Sequence, residues 1–461
     1  MIAAIVIIIG VYGLWMMHSR AYRKWFRLSS HRNDSLRLRG VIQEVAVVLD
    51  QEGFELPPGV PRSGQTVLLS ISLTASIMGR FRAPYIEVMS RRRNYRQYFE
   101  LGAKGQRYLN LTPIFQSSES GSAPRIAISS SSVRWASQAR LLIFAAPIAE
   151  TGNVLVLAPH PDDAEIAAFG MYSSHRSWVV TLTAGEKGTG NLPMEMNAAA
   201  RTDLAASLRI AESLSIPQAA GVPPQQCANL VLPDGGLRLM AREPARPFRL
   251  ACESSLPRSK LRAENRIPEL RIGDAECSWN ELIVEIRLLL SLSRPNIVLC
   301  PHPLLDSHSD HVYTTVALAQ ALRGLDGPCP VIFLYVVHTE GVPAYPLGPM
   351  QSLVGVPSGR ADAWSCESVY SHMLEPAVQR AKYLAIASTH AARVYEDVEL
   401  RLWARIKKLA GRLPALFSGT FADPTSFLRR APRPNEMYFV VAGDSLATLI
   451  AQNSELRAVL G

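Results

Sequence analysis

Two short stretches concentrate the residues able to do metal and acid–base chemistry. The first, Pro159-His160-Pro161-Asp162-Asp163-Ala164-Glu165, places one imidazole and three carboxylates side by side. The second, His302-Pro303-Leu304-Leu305-Asp306-Ser307-His308-Ser309-Asp310-His311, holds three imidazoles and two carboxylates. The chain has 10 histidines in 461 residues, so two such clusters are hard to explain as scattered surface or core residues. Neither stretch contains a thiol. Without thiolates zinc takes nitrogen and oxygen ligands, and a catalytic site uses three of them with water in the open position. His160 and Asp163 can face one point where the chain turns into a helix, and one imidazole of the second stretch completes a His2Asp set. Water at such an ion becomes a nucleophile near neutral pH. A further carboxylate must take its proton, and Asp162 stands beside the ligand. The spare His and Asp of the second stretch are placed to stabilise or protonate the departing groups.

The elements that position these stretches are buried strands. Val154 to Leu157 and Asn296 to Cys300 are apolar runs suited to strands covered on both faces, as in parallel sheets packed between helices. In open α/β sheets the chemistry sits just beyond the carboxyl ends of such strands. From Gly152 onward strand and helix patterns alternate. Strands are expected at 153–158, 178–183, 296–300, 331–337 and 437–441. Helices are expected at 163–174, 196–214, 279–292, 312–322, 376–387 and 398–410, with one more closing the chain. The alternation predicts βαβ units and an α/β parallel sheet for residues 149–461. The Arg- and Pro-rich residues 238–275 read as an insertion over its surface.

The N-terminal part is different. Ile2 to Met17 is almost wholly apolar and is followed by Arg20, Arg23, Lys24 and Arg27. Charge after the run, with no small-residue cleavage site, predicts an uncleaved transmembrane helix over 1–27 with its C-terminal flank in the cytoplasm. Trp15, Tyr22 and Trp25 would be interfacial anchors. Residues 1–107 carry 16 Lys and Arg against 7 Asp and Glu, so the formal net charge of +9 resides there. Residues 28–60 read as a linker with an amphipathic segment, and 61–148 as a β-rich accessory domain of short strands. Arg91-Arg92-Arg93-Asn94-Tyr95-Arg96 within it suits either an anionic lipid or solvent. The six cysteines form no C-x-x-C pair, which argues against a zinc ribbon and a thioredoxin-like site and favours a reducing compartment.

The two stretches resemble the signatures of the PIG-L/LmbE-like deacetylases, zinc enzymes that remove N-acetyl groups from glucosamine-type sugars. Thr181-Leu182-Thr183-Ala184-Gly185-Glu186 and Pro233-Asp234-Gly235 extend the resemblance, which covers roughly residues 150–395. It implies a Rossmann-like fold with zinc held by His160, Asp163 and His311. Asp162 would be the general base. His308, oriented by Asp310, would stabilise the oxyanion or act as acid. Glu186, Arg201, Asp234 and His338 are candidates for substrate contact, and Glu165, His302 and Asp306 for a supporting shell around the ligands. The family's Arg and Glu on the following helix match Arg201 and Asp203 loosely. The H-x-D-H form of the second signature is similar to bacterial members.

The sequence therefore points to a bacterial inner-membrane de-N-acetylase with its catalytic domain in the cytoplasm. Its cofactor would be zinc or another divalent metal. Its partner would be an N-acetylhexosamine of a membrane-linked glycan such as lipopolysaccharide core, with no nucleic acid involved. Two alternatives are an amidohydrolase of a soluble sugar–thiol conjugate or other small amide, and a non-catalytic glycan-binding envelope protein with a structural metal. Structural zinc sites are usually closed by four protein ligands, often cysteines, whereas here an extra base and an extra His–Asp pair surround the ion.

Overall fold

The computed structural model describes residues 25–28, 36–57, 60, 64–89, 93–116, 125–146, 152–189, 192–193, 195–250, 254–271, 276–325, 327–339, 341–358, 365–366, 368–389 and 427–460. The expected transmembrane run Ile2–Met17 and the expected helix at 398–410 lie outside them. Among the described residues no helix is long and apolar enough to cross a membrane.

The N-terminal module is built from short strands of alternating burial. After β1 (Arg37–Leu38) come β2 (Val41–Val48), β3 (Gly53–Glu55), β4 (Thr66–Ala75), β5 (Tyr85–Val88), β6 (Tyr95–Tyr98), β7 (Lys104–Asn110), β8 (Arg125–Ser131) and β9 (Val133–Phe144). One antiparallel sheet has the order β2-β9-β4-β7 and a second the order β3-β8-β5-β6. Phe54, Leu69, Ile71, Ile86, Ile128 and Leu141 belong to the core they share. The reading of 28–60 as a linker is corrected here. Val41–Val48 alternates between half-buried and exposed, the pattern of an edge strand with one wet face, and Gly53–Glu55 pairs with β8.

Opposite faces of one strand join this module to the rest. Side chains alternate across a strand, so Val67, Leu69 and Ile71 of β4 enter the sandwich while Leu68 enters the large core of the C-terminal part. Hydrogen bonds finish the junction. Asn110 Nδ2 donates to Val354 O at 3.1 Å and to Ser371 Oγ at 2.9 Å, and Ser371 N–H donates to Thr66 Oγ1 at 2.8 Å.

The C-terminal part is a seven-stranded sheet. Its strands are β10 (Val154–Ala158), β11 (Ser177–Thr183), β12 (Cys227–Leu232), β13 (Ile297–Pro301), β14 (Val331–Tyr335), β16 (Ser368–Met373) and β17 (Asn435–Ala442), in the order β12-β11-β10-β13-β14-β17-β16. The short β15 (Ser365–Cys366) pairs with β1 instead. The first five strands of that order are parallel, as expected. β17 is antiparallel to β14 and to β16, so the sheet is mixed at this edge. β10 is fully buried, with Leu155 and Leu157 in one core and Val154, Val156 and Ala158 in the other. It lies between β11 and β13, where strand order reverses. That switch point is where ligands bind in doubly wound sheets.

Helix boundaries follow local chemistry. Trp279–Ser293 opens with a capping box between Ser278 and Glu281. The helix expected over 163–174 is two short ones, Asp163–Ala167 and Phe169–Ser174, broken at Ala168 (φ −130°). The expected surface insertion at 238–275 is also corrected. Leu250, Leu261, Ile267 and Leu270 are buried, and the segment covers the free edge of β12. Arg258 donates to Val231 O and Leu230 O at 3.1 and 3.0 Å, and Asn265 exchanges hydrogen bonds with the main chain of Asn229 at 2.8 and 2.9 Å. Side chains thus take the place of an eighth strand.

Candidate active site

Four loops leave the carboxyl ends of β10, β11, β12 and β13 and converge. β10 delivers His160, Asp162 and Asp163, and β13 leads to Asp306, His308, Asp310 and His311. At the centre three ligand-type atoms form a near-equilateral triangle. Asp163 Oδ2 lies 3.1 Å from His160 Nδ1 and 3.1 Å from His311 Nε2, and the two ring nitrogens are 3.3 Å apart. A tetrahedral ion with bonds of about 2.0–2.1 Å requires ligand atoms roughly 3.3 Å apart. The residues present therefore fit zinc. Other sets of ligand-type atoms within 4.8 Å are His160/His308/His311, Asp163/His311/His338 and His160/Asp234/Asp310. Each shares a member with the triangle.

Both imidazoles are held from behind by carboxylates. His311 Nδ1 meets Asp306 Oδ2 at 3.0 Å, and His160 Nε2 meets Asp310 Oδ2 at 3.3 Å and Asp234 Oδ1 at 3.4 Å. A proton on each outer nitrogen leaves the inner nitrogen bare for a cation, the usual arrangement behind histidine ligands. Asp306 is itself fixed by the N–H groups of Val337 and His338 at 2.9 and 3.1 Å. Electrostatics demand positive charge here. Burial alone would lower His311, yet Asp163 and Asp306 push it up to about 9. Burial opposes ionisation of Asp163, but His311 and His160 hold it well below the usual carboxylate range.

Asp162 is the neighbouring carboxylate outside the triangle. Its backbone is at φ +155°, a region that residues other than glycine rarely adopt. Burial raises its carboxyl above the ordinary value, opposed by the Arg209 guanidinium at 3.4 Å. Arg209, which the sequence reading does not single out, is thus the arginine at this carboxylate. It is buried on the helix Ala198–Ala219 and packs under the β11 loop, where a Cβ on Gly185 (φ +67°) would lie 2.4 Å from its Nε. No local pattern singled it out, since its place depends on how that helix meets the Gly185 loop. Arg201 reaches Thr189 O at 3.4 Å, and Asp203 accepts from Ser254 Oγ and Ser255 N–H at 2.7 and 3.0 Å, pinning the edge-covering segment.

The other expected residues divide clearly. His308 stands edge-on to His160 with ring centroids 4.6 Å apart. Its Nδ1 accepts from Asp310 N–H at 3.2 Å, so the neutral ring carries its proton on Nε2. Burial, aided by the neighbouring His160 and His311 rings, keeps it neutral by lowering its pKa. The carboxylate of Asp310 does not orient His308. It is occupied by His160 and by the N–H groups of Gly235 and Leu237 at 2.6 and 3.2 Å, and orientation runs through its main chain. Glu186 accepts from Asp234 N–H at 3.0 Å and so holds the β12 loop. Asp234 reaches the His160 ring directly. His338 lines the site, its ring 5.0 Å from that of His311, and burial lowers it to about 4. Two expected supports of the ligands do otherwise. Glu165 accepts from Tyr172 O–H at 3.0 Å, and His302 accepts from Leu304 N–H at 3.2 Å and packs edge-on to Phe439.

Residues 155–322, which carry both signatures and all four converging loops, match the family model of PIG-L, GlcNAc-PI de-N-acetylase. The chain carries a PIG-L domain. PIG-L deacetylases are zinc-dependent hydrolases, and this chain is a hydrolytic deacetylase of that kind. No curated protein matches the chain. Among solved structures, the zinc-inhibited form of teicoplanin deacetylase Orf2 is 16% identical, with 63% of this chain and 98% of that chain covered and a TM-score of 0.31. The 4-carboxy-2-hydroxymuconate hydratase GalB of Pseudomonas putida is 15% identical, covering 62% of this chain and 94% of that one with a TM-score of 0.32.

Proposed function

We propose that this PIG-L domain removes the acetyl group from an N-acetylhexosamine of a membrane-linked glycoconjugate, lipopolysaccharide core being one such substrate. The observation that carries the chemistry is the triangle of His160 Nδ1, Asp163 Oδ2 and His311 Nε2 with Asp162 beside it. Those three residues would hold zinc, which supplies the Lewis acidity that makes water a nucleophile near neutral pH. The rest belongs to the chain. Asp162 accepts the proton of the attacking water, its basicity raised by burial and limited by Arg209. His308 Nε2–H donates to the acetyl oxygen as that oxygen gains charge. The proton held by Asp162 then passes to the departing amine nitrogen, so the products are acetate and a free amino sugar. Arg209, Asp234 and His338 surround the same space and are assigned to hold the sugar or keep the loops in place.

The membrane part of the reading rests on the sequence. An apolar run from Ile2 to Met17 followed by basic residues, and a net charge confined to the N-terminal quarter, suit a protein held on an inner membrane with its catalytic domain in the cytoplasm. The test is acetate release by purified full-length protein with zinc. The substrate is glycolipid from a strain lacking the protein, and Asp162→Asn is assayed beside it. Release by the parent alone supports the assignment, and mass analysis of the product identifies the sugar. No release from glycolipid, with turnover of a small soluble amide, would move the substrate off the membrane.

A further inference from the structure

The β-sandwich carries an apolar turn that its own core does not use. Between β4 and β5 the chain turns through Ser76 to Arg82, with a 3-10 turn at Met78–Arg80. Ile77 is 77% exposed, Met78 58% and Phe81 52%. Arg80 and Arg82 beside them are exposed as well. Single exposed apolar residues are ordinary. A run of them interleaved with arginines is the composition of a surface that meets lipid.

The turn is braced. Gly79 N–H donates to Ser76 Oγ at 3.3 Å, Ser76 N–H to Ser132 O at 3.0 Å, and Gly102 N–H to Gly79 O at 2.8 Å. A Cβ on Gly79 would lie 2.3 Å from Ser132 O, so glycine lets the turn seat against the β8–β9 hairpin. The pinned backbone holds Ile77 and Met78 out in solvent.

The same turn stands beside the place where the N-terminal segment joins the fold. Leu101 N–H donates to Phe26 O at 2.8 Å, and the next residue, Gly102, is the one bonded to Gly79. Phe26 is buried with Ala83 and Leu101, and Arg27 next to it is exposed. In the sequence the apolar run ending at Met17 lies a few residues before Trp25.

We propose that the turn Ile77–Arg82 is a second membrane contact. Ile77 and Met78 enter the acyl boundary of an anionic bilayer, and Arg80 and Arg82 meet its headgroup phosphates. This rests on the membrane attachment proposed above and adds what one helix cannot supply. A single anchor leaves the body free to rotate about it, and a second contact fixes which way the β-sandwich, and with it the PIG-L domain, faces the lipid surface.

The experiment uses full-length protein with vesicles of phosphatidylglycerol and phosphatidylethanolamine brominated on their acyl chains, which quench only indoles that reach them. Ile77→Trp is compared with the parent and with Ile42→Trp. Ile42 is 56% exposed, and β2 is paired so that it lies by Thr66, the opposite end of β4. Ten residues of strand put that end roughly 30 Å from the turn. The added emission of Ile77→Trp should be quenched at least twofold more than that of Ile42→Trp, and less in phosphatidylcholine vesicles. Equal quenching of the two variants in a protein that still sediments with vesicles overturns the turn alone. Equal quenching in phosphatidylcholine overturns the anionic preference. Failure to sediment with vesicles overturns the membrane reading and the turn with it. The readout needs neither substrate nor turnover, so the deacetylase assignment stands or falls separately.

Discussion

The carboxylate of Asp306 lies 3.0 Å from His311 Nδ1, and the other nitrogen of the same ring lies 3.1 Å from Asp163 Oδ2. One buried carboxylate therefore sets which nitrogen of a metal-ligand imidazole is bare. Asp306→Asn keeps the size and hydrogen-bonding capacity of the side chain but lets its amide present a donor to the ring. Zinc affinity should fall by about 10–100-fold, the usual cost of losing such a partner. Competition with a zinc-binding dye measures it. Unchanged affinity would show that the ring is oriented by packing alone.

Asp162 and the triangle have separable duties. Asp162→Asn should retain zinc and lose turnover by about 10²–10⁴-fold, the range for removal of a general base. His160→Ala should lose zinc and turnover together. Metal analysis of the purified variants beside an acetate assay tells the two apart. Zinc loss in Asp162→Asn, or turnover surviving in it, would show that the base is misassigned.

The parts of this site that were legible in the sequence are those fixed by local chain direction. β10 and β13 are short, apolar and all-buried, and the residues that follow such strands must emerge at one end of the sheet. His160 and Asp163 are legible for that reason, whereas chain direction leaves three imidazoles open in the second stretch and only the family resemblance points to His311. Arg209 is not legible, because it reaches Asp162 only through the packing of a 22-residue helix beneath the Gly185 loop. The family resemblance assigns the Asp310 carboxylate to His308, its neighbour in sequence, whereas the fold turns it towards His160, which is distant in sequence. Val41–Val48 shows in the sequence as an amphipathic segment, but its pairing as an edge strand depends on a partner, β9, that is distant in sequence. The Arg- and Pro-rich pattern of residues 238–275 reads as an insertion over the surface. Arg258 and Arg262 instead satisfy carbonyls at the edge of the sheet.

That edge gives a stability prediction. Arg262 is 1% exposed, donates to Leu270 O at 2.9 Å and pairs with Glu285 at 2.6 Å. Arg262→Met fills much of the volume but leaves Glu285 and two main-chain carbonyls short of a donor. Arg258 keeps its contact with Glu285 at 3.2 Å, so the cost should stay below the about 3–5 kcal/mol of a buried charge left with no partner. Urea unfolding should show a lower midpoint with little change in slope. A midpoint equal to the parent's would mean that Arg258 alone closes the edge.

His302 gives a prediction on pH. Burial lowers its pKa to about 3 in the folded protein, against about 6.5 in an unfolded chain. Between those values the unfolded chain binds a proton that the folded protein refuses, so folding stability rises with pH there. The contribution is fully present above about pH 6.5 and is lost as pH falls towards about 3. One such group changes stability by at most about 1.4 kcal/mol per pH unit within the window. His302→Asn keeps an acceptor for Leu304 N–H and removes the titration. It should cost stability at pH 7, where the contact with Phe439 is lost, and flatten the dependence of the urea midpoint on pH between about 6.5 and 4. If the variant followed the parent's pH dependence unchanged, the acid sensitivity would belong to another group, and the buried His302 ring would be protonated in the folded state.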